Sequence, residues 1–413
     1  MKQTTPEIHI IGGGISGLIA ATVLEQHGLR PTIIEASDRF GGRVKTDNID
    51  GYSLDHGFQV LLTAYPAAKK YLDFNSLSLQ EFLPGAAIFK NGKQKIIGDP
   101  SRKLSLLIPT LLSGIGTLND RLKILALNRR LKKKSIQKIF TEKEQTTRSY
   151  LEDLGFSSAI ITDFFTPFFS GIFLENKLET SSRMFEFVYK MFGEGMASLP
   201  RHGIEAIPKQ LAKKLKNTTC IFNTKVTKVE NNSIKLESGE TIKSNFTIIA
   251  TQASELVSNL KNQATLWKSC DTLYFETPKR NIKKPLIGLI SEPGALINNI
   301  FYHTSLQTSA TANKELLSVT VVDKQNLTDK ELVTEVQKEL KELCAIDSCS
   351  FIKHYNIPMA LPNLKDLQYE MLPSETRLTQ TIFLAGDMQL NGSLNAAMIA
   401  GERAALEVIH LAS

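Results

Sequence analysis

Two glycine-rich turns, one near each end of the 413-residue chain, carry the residues best suited to bind a phosphate. The first has Gly12, Gly14 and Gly17 in the spacing GxGxxG, and the second has Gly386 followed by Asp387. In a GxGxxG turn the first glycine permits a tight turn, the second lets the backbone approach a pyrophosphate, and the third lets helix and strand pack closely. The free N–H groups at the start of the following helix favour negative charge. The first turn therefore predicts a dinucleotide site.

The segment around the first turn reads as a strand, a helix and a second strand. Residues 8–11 are predicted as a buried parallel strand, residues 15–27 as a helix closed by Gly28, and residues 32–35 as the next strand. Glu35 ends the second strand about twenty residues after the glycines, where a carboxylate accepts hydrogen bonds from a ribose 2′-OH. Because a carboxylate repels a 2′-phosphate, this position disfavours NADP.

A second pair of glycines separates FAD from NAD as the predicted ligand. Gly41 and Gly42 supply flexible backbone directly after the second strand, and Arg43 supplies a fixed cation beside the expected pyrophosphate. For the two glycines alone, a hairpin turn is the alternative interpretation. Coupled to the GxGxxG turn, this segment favours FAD.

Three motifs, GxGxxG, EASDRFGGR and FLAGD followed by GSLNAAMIAGERAA, resemble the flavin amine oxidase superfamily. The similarity spans the whole chain and is greatest to the branch of protoporphyrinogen oxidases and carotenoid desaturases. It implies that the carboxy-terminal segment folds back onto the first turn, so that one FAD is held from both ends of the chain. It also implies non-covalent FAD, since residues 383–405 lack the cysteine through which monoamine oxidases attach it.

The resemblance assigns contacts along the whole length of the cofactor. His56 and Gln59 are the polar side chains expected nearest the flavin ring, with packing under a turn as the alternative for His56. The assigned residues are Gly12, Gly14, Ser16 and Gly17 for the pyrophosphate, Glu35 for the ribose, Gly42 and Arg43 for the diphosphate, Gly57, Phe58 and Gln59 for the isoalloxazine, Val226 for the adenine, Gly386 and Asp387 for the ribityl and phosphate end, and Ser393 and Leu394 for the pyrimidine edge.

The predicted fold class is α/β (α+β overall), with a Rossmann-like FAD-binding domain on a parallel sheet plus a mixed sheet-and-helix substrate domain. The resemblance gives residues 1–75, 200–260 and 378–413 to the FAD-binding domain. Residues 76–199 and 261–377 then form the substrate domain.

The function implied by the resemblance is hydride transfer from a C–H bond of a hydrophobic substrate to flavin N5. Isoprenoid, carotenoid-like and tetrapyrrole compounds are the expected substrates, and oxygen or a quinone would reoxidise the flavin. The aromatic residues of 164–174 and 354–364 suit a large apolar substrate, with plain core packing as the alternative. An FAD amine oxidase releasing hydrogen peroxide and a redox-neutral flavin isomerase remain as alternatives. The tyrosine of the amine oxidase aromatic cage is replaced here by Ser393 or Leu394.

Residues 104–118 are apolar, and the segment that follows, to residue 138, is strongly basic. A basic amphipathic helix next to an apolar stretch predicts peripheral attachment to an anionic membrane, with an ordinary solvated helix face as the alternative. The apolar run is shorter than a spanning helix requires, and Pro109 interrupts it, so no transmembrane helix is expected.

The remaining composition excludes several classes of protein. The net charge of +7 comes from Lys and Arg spread over most of the chain, which does not indicate a nucleic-acid partner. The four cysteines form no disulfide or ligand pattern, and no metal site or side-chain catalytic triad is expected. The first residues lack a signal peptide, which predicts a cytoplasmic protein, at the inner face of the membrane if the basic segment binds lipid.

Overall fold

The structure is a computed structural model that describes residues 6–100, 102–260 and 263–413. The start of the predicted FAD-binding domain, residues 1–5, and the beginning of the predicted substrate segment, residues 261–262, lie outside the described residues. The strands are β1 Ile8–Ile11, β2 Thr32–Ile34, β3 Thr46–Ile49, β4 Tyr52–Asp55, β5 Leu61–Leu62, β6 Leu79–Glu81, β7 Gly85–Lys90, β8 Lys93–Gly98, β9 Ala197–Pro200, β10 Thr219–Ile221, β11 Val226–Glu230, β12 Ser233–Leu236, β13 Thr241–Lys243, β14 Phe246–Ile249, β15 Trp267–Thr277, β16 Ile287–Ile290, β17 Ile297–Tyr302, β18 Glu315–Val321, β19 Ser350–Pro362 and β20 Ile382–Leu384.

Most of the helices lie between β8 and β9, in one long insertion. None of the helices among the described residues is both long enough and apolar enough to cross a membrane. The α-helices are α1 Ile15–Gln26, α2 Pro66–Tyr71, α3 Leu107–Leu112, α4 Leu118–Lys133, α5 Ile136–Thr141, α6 Thr147–Asp153, α7 Ser158–Ile160, α8 Thr166–Phe173, α9 Ser182–Glu194, α10 Ala206–Lys214, α11 Ala253–Leu256, α12 Asp329–Cys344 and α13 Leu394–Ala412.

A five-stranded parallel sheet in the order β10-β2-β1-β14-β20 joins the first and last parts of the chain. Ile10 of β1 pairs with Ile248 of β14, which in turn pairs with Phe383 of β20. These short strands are apolar because both faces of a parallel sheet are covered. Since parallel strands place their carboxyl ends at one edge, the turns after β1 and β20 lie at the same edge.

A seven-stranded mixed sheet in the order β19-β15-β18-β17-β16-β7-β8 forms the second layer. The pairing of β16 with β7 is parallel, and the other pairings are antiparallel. Helix α12 packs against this sheet through Leu332, Val336 and Leu340, which share a core with Leu317 and Val319. The predicted combination of a parallel sheet with a mixed sheet-and-helix part is confirmed.

The helical insertion does not form a separate core. Phe165 and Phe187 belong to the same hydrophobic cluster as Ile10 and Leu18 of the parallel-sheet layer. A small sheet, β5-β9-β6, also crosses the predicted domain boundaries, because it pairs residues 61–62 and 79–81 with 197–200. The two predicted domains therefore meet through continuous apolar packing.

Candidate cofactor site

The first glycine turn holds helix α1 close to the end of β1. Gly12 has φ +103° and donates its N–H to Ile34 O at 2.9 Å. A Cβ on Gly17 would lie 2.0 Å from Gly12 O, so only glycine permits this packing. Gly14 is the N-cap of α1, and among the described residues no side chain caps this helix and no acid occupies its first turn. The positive end of α1 is therefore left available to an anion.

Glu35 follows the end of β2 and turns its carboxylate back towards the glycine turn. One oxygen, Oε2, accepts the Gly13 N–H at 2.7 Å. The other, Oε1, accepts from the Ser37 N–H at 2.8 Å and from Ser37 Oγ at 2.6 Å. These bonds fix the carboxylate beside the turn, at the distance along the chain that the sequence predicts for a ribose contact.

Gly41 and Gly42 run directly alongside the first turn. Gly41 donates its N–H to Gly13 O at 3.0 Å, and a Cβ on Gly42 would lie 3.3 Å from the Cα of Gly14. Both glycines have positive φ, +128° and +59°. The close approach of these two backbone segments requires residues without side chains.

Arg43 links this loop to the other end of the chain. Its Nη2 forms an ion pair with Asp387, and its Nη1 donates to Ala360 O at 3.2 Å. The guanidinium carbon lies 5.0 Å from the centroid of the Trp267 ring. Three segments far apart in sequence thus converge on one cation.

The carboxy-terminal turn packs against α1. Gly386 has φ +118°, and the Ser393 side chain caps α13 by accepting the Ala396 N–H at 3.0 Å. Ser16 Oγ donates to Ala397 O at 2.5 Å. A Cβ on Gly401 would lie 2.3 Å from Ser16 O, so the two helices touch along their backbones.

The next assigned segment, Gly57 to Gln59, contacts the backbone of Arg43. Gln59 Nε2 donates to Arg43 O at 2.9 Å, which ties this segment to the arginine loop. Gly57 has φ +96°, and the Phe58 ring centroid lies 5.4 Å from that of Phe301 on β17. This segment therefore forms the contact between the arginine loop and the mixed sheet.

The last two assigned positions are Val226 and Leu394. Val226 packs with Ile11 and Ile34, at the ends of β1 and β2. Two residues earlier in the chain, Thr224 donates its N–H to Glu35 O at 3.0 Å. Leu394 begins α13 and is partly buried against the large core.

The His56 side chain contacts the carboxylate of Asp47. Its Nε2 lies 2.8 Å from Asp47 Oδ2, and its ring centroid lies 4.4 Å from that of Tyr355. Burial by itself raises the pKa of Asp47, but hydrogen bonds from His56, Tyr355 and Arg39 bring that pKa down to about 2. His56 therefore links β3 to β19 through Asp47 and Tyr355, and its place near the flavin ring stays a prediction.

Two aromatic residues of the site, Trp267 and Phe40, were not predicted from the sequence. Trp267 packs under Arg43 and donates Nε1–H to Gln252 Oε1 at 3.2 Å. Phe40 covers Gly13, and a Cβ added to Gly13 would lie 2.6 Å from the Phe40 ring. Phe40 directly precedes the Gly41-Gly42 pair, so its position was available as a clue, whereas Trp267 stands far from every motif.

The assembled features suit a dinucleotide with two phosphates. An uncapped helix end and a guanidinium provide positive charge, and five backbone glycines allow close approach. Among the described residues, no group of three or more His, Cys, Asp or Glu side chains is arranged to hold a metal ion.

Comparison with known proteins agrees with this geometry. The model of the family of flavin-containing amine oxidoreductases matches residues 15–409. A coproporphyrinogen III oxidase from Propionibacterium freudenreichii is 40% identical over 76 residues, which cover 18% of this chain and 14% of that protein. The chain therefore aligns with only a small part of this relative.

Two crystal structures resemble the whole chain. A protein from Exiguobacterium sp. 255-15 described as a protoporphyrinogen oxidase has a TM-score of 0.71 at 16% identity, covering 98% of this chain and 99% of that one. Cyclohexylamine oxidase from Brevibacterium oxydans IH-35A has a TM-score of 0.72 at 14% identity, with the same coverage of 98% and 99%. At these identities the likeness shows the fold alone.

Proposed function

Because the chain belongs to the family of flavin-containing amine oxidoreductases, whose cofactor is FAD, we propose that it is an oxidase-type oxidoreductase acting on a hydrophobic substrate. The observation that carries this proposal is the convergence of the two glycine turns. Arg43 pairs with Asp387, and Ser16 bonds the backbone of α13, so the two predicted halves of one FAD site are adjacent.

The residues assigned from the sequence would hold the cofactor as follows. The N–H groups after Gly14, together with Arg43, would bind the pyrophosphate, and Glu35 would accept hydrogen bonds from the ribose. Bound FAD supplies a hydride acceptor for a C–H bond of the substrate. The chain's own task is to hold the substrate in place, exclude water and keep the surroundings apolar.

An apolar substrate is supported by the residues near Phe58. Its ring lies 6.1 Å from that of Phe82 and 5.4 Å from that of Phe301, measured between centroids. His303 lies 6.2 Å from the same ring, and burial lowers the pKa of His303 to about 4, so it is neutral at physiological pH. The side chains next to Phe58 therefore form an uncharged, aromatic environment.

The aromatic segment of residues 164–174 adds to this environment. It begins within a π-helical turn, Ile161–Phe165, and continues through α8, and π-helical turns occur frequently at functional sites. Phe164 and Phe168 are stacked at 5.5 Å and are only partly buried. Partly buried aromatic rings suit a large planar or polyene ligand better than a small amine.

A tetrapyrrole is the substrate class to test first. The Propionibacterium relative is named for a porphyrinogen, and the Exiguobacterium protein for a protoporphyrinogen. Both names describe those proteins, and their relevance here rests on the aromatic environment of Phe58. An isoprenoid or carotenoid-like polyene fits the same environment and is the second choice.

The first experiment is an absorption spectrum of the purified protein before and after acid precipitation, with mass analysis of what is released. We expect intact FAD in the supernatant, as a non-covalent site requires. A protein without flavin, in a preparation that has not been exposed to denaturant, would contradict the proposal. Flavin retained in the pellet would contradict non-covalent binding and favour the amine oxidase alternative.

The second experiment mixes the FAD-loaded protein with candidate substrates without oxygen and follows the bleaching of the flavin. We expect a porphyrinogen or a reduced polyene to bleach the flavin faster than cyclohexylamine or putrescine. Faster bleaching by an amine, with hydrogen peroxide formed on aeration, would establish the amine oxidase alternative. Product formation that needs reduced flavin and consumes no acceptor would establish the isomerase alternative.

A further inference from the structure

We propose that the protein docks on anionic lipid bilayers through one surface, formed by residues 104–125 and the basic end of α4. This surface is called the α3–α4 face below. The inference rests on exposed side chains and charge, and it does not depend on the bound cofactor or on the reaction. Its failure would therefore leave the proposed function untouched.

Large apolar side chains are exposed on the α3–α4 face at an unusual density. Fourteen large hydrophobic residues are exposed among the described residues, and eight of them lie between positions 104 and 125. A patch of this kind on a monomeric protein indicates an interaction site. The eight residues and their exposed fractions are Leu104 81%, Leu107 43%, Ile108 67%, Leu111 53%, Leu112 80%, Leu118 75%, Leu122 66% and Leu125 46%.

Three exposed leucines and three exposed cations of helix α4 share one stripe, in which the leucines come first and the cations follow. At 3.6 residues per turn, Leu118, Leu122 and Leu125 fall on the same side of the helix as Arg129, Lys132 and Lys133, within roughly 100° of arc. The opposite side carries Leu127 and Leu131, which are buried in the core. The outward stripe is therefore apolar in its first two turns and basic in its last two.

The α3–α4 face is held rigidly by hydrogen bonds. Thr117 and Asp120 form a reciprocal capping box at the start of α4, and Asp120 also accepts from the Ser157 N–H at 2.8 Å. Arg121 Nη2 donates to Thr110 O at 3.1 Å, and Thr110 Oγ1 accepts the Gly98 N–H at 2.9 Å. The exposure of the leucines is thus a property of the packed fold.

Three cations of the outward stripe have no counter-charge. Within the described ranges, no carboxylate forms an ion pair with Arg129, Lys132 or Lys133, whereas Arg130 and Lys134 are paired with buried Glu186. An anionic bilayer supplies the missing negative charge, and each cation near its surface strengthens the attachment. Each inserted leucine strengthens the attachment further through burial of its apolar surface.

The geometry matches the depth profile of a bilayer surface. About 16 Å separate Leu118 from Arg129 along the helix axis, at 1.5 Å per residue. If α4 lies at an angle to the membrane, its leucine end can enter the acyl boundary by about 5–10 Å while its basic end remains among the headgroups. Apolar insertion with a basic border is the pattern of a monotopic membrane protein.

A second copy of the chain is a less suitable occupant. In a two-fold dimer the same surface meets itself, so the partner offers the same cations Arg129, Lys132 and Lys133 and no negative charge to neutralise them. The exposed leucines need an apolar cover, and the cations need negative charge. An anionic bilayer supplies both.

This attachment would also place the surface next to the aromatic segment. Ile115, in the connection between α3 and α4, is buried in one cluster with Phe164 and Phe168. A membrane-dissolved substrate would therefore meet those two rings directly behind the attached surface. The proposal for the surface stands without this consequence.

The test is co-sedimentation of the FAD-loaded protein with vesicles of phosphatidylcholine alone and of phosphatidylcholine with phosphatidylglycerol. We expect binding to the anionic vesicles to exceed binding to the neutral ones by at least tenfold at low salt, and to weaken as salt screens the charges. Equal recovery in the supernatant with both vesicle types would overturn the proposal.

Variants test which residues are responsible. The double substitution Leu118→Glu/Leu122→Glu and the double substitution Arg129→Gln/Lys133→Gln should each reduce anionic vesicle binding at least tenfold. Leu372→Glu is the matched control, because Leu372 is 64% exposed but lies outside the α3–α4 face. An unchanged flavin spectrum in each variant shows that the fold is intact.

The oligomeric state tests whether a second copy of the chain, rather than a bilayer, covers the α3–α4 face. Light scattering after size-exclusion chromatography should show a monomer for wild type and for the Leu118→Glu/Leu122→Glu variant. A wild-type dimer that this variant converts to a monomer, together with no vesicle binding, would overturn the proposal in favour of a second copy.

Discussion

Two buried titratable residues near the candidate site affect stability in opposite directions. Burial raises the pKa of Asp55 to about 6, although the Thr46 hydroxyl and the Ile204 N–H donate to its carboxylate. Burial also lowers the pKa of His303 to about 4. The raised pKa of Asp55 stabilises the fold at low pH and loses this effect as the pH rises towards 6. The lowered pKa of His303 stabilises the fold above pH 6.5 and loses this effect as the pH falls towards 4.

We therefore predict that substituting one of these two residues exposes the effect of the other. In Asp55→Asn, the thermal midpoint should rise more steeply with pH between 4 and 6.5 than in wild type, by an amount equivalent to roughly 2–3 kcal/mol across that range. In His303→Gln, the midpoint should fall with pH over the same range. Differential scanning calorimetry at a series of pH values measures both. Parallel curves for wild type and both variants would contradict this prediction.

Arg43 supports a prediction about cofactor affinity. Arg43→Gln removes a guanidinium from the expected diphosphate and leaves the Asp387 carboxylate without its partner, so both effects disfavour an anionic ligand. We expect FAD affinity to fall about 10- to 100-fold, measured by titration of the apoprotein. Arg280→Gln removes a comparable ion pair with Glu315 and serves as the control, with unchanged affinity. Equal affinity of both variants would argue against a phosphate contact.

Among single residues, the sequence predicted the positions that depend on local backbone geometry. Gly17, Glu35 and Gly42 stand where the strand and helix periodicity put them, because GxGxxG fixes both a turn and a helix start. Trp267 could not be predicted, since its position under Arg43 depends on how β15 docks against the arginine loop. Periodicity contains no information about such a long-range contact.

Among the helices, the contact between α1 and α13 is the most sensitive to substitution. Gly401→Ala should push α13 away from Ser16, where a Cβ would lie 2.3 Å from the carbonyl oxygen. Overpacking of this kind costs about 1–3 kcal/mol, and the displaced helix should also weaken FAD binding. Urea denaturation and FAD titration measure the two effects.

Gly193→Ala provides the matched control for this substitution. Gly193 lies near the end of α9, and a Cβ added there would meet no atom within 4 Å. Alanine at this position should be neutral or stabilising by up to about 1 kcal/mol, with no effect on FAD. If Gly401→Ala behaved like Gly193→Ala, the close helix contact would not matter for the site.

Helix and strand ends differ slightly from the sequence prediction for identifiable reasons. Residues 15–27 were predicted as one helix closed by Gly28, and α1 ends at Gln26 because His27 is its C-cap, with φ -103° and ψ 17°, before Gly28 at φ +80°. The apolar run of residues 104–118 forms a 3-10 turn, Leu104–Leu106, and the six-residue α3, and Gly114 and Gly116, which both have positive φ, separate α3 from α4. The basic helix α4 starts where Thr117 and Asp120 provide a capping box, which the sequence contains but the prediction did not use.

At the scale of the molecule, the chain's single tryptophan reports on the cofactor. Trp267 lies next to Arg43, so FAD bound along this arginine should quench the tryptophan emission by energy transfer. We expect the emission of the FAD-loaded protein to be less than half that of the apoprotein, and to recover when FAD is removed. Trp267→Phe should abolish the signal while the flavin absorbance remains. Equal emission with and without FAD would place the cofactor elsewhere.

The sequence predicted the type of architecture. It did not predict that the helical insertion and the parallel sheet share one hydrophobic core. The order of strands and helices in the first 35 residues indicates a parallel sheet with covered faces. Phe165 and Phe187, by contrast, lie in a helical insertion whose apolar residues carry no sign of which layer they will pack against. Contacts between segments so far apart depend on the complete fold.

The order of strands in the parallel sheet has a consequence for the protein's synthesis. Strand β20 and helix α13 supply one wall of the candidate FAD site, and they are translated after all other described elements. While the ribosome still holds these residues, α1 lacks its helical neighbour and Arg43 lacks Asp387. The nascent chain should therefore be unable to retain FAD until this segment has left the ribosome, so cofactor capture follows the synthesis of all the other described elements.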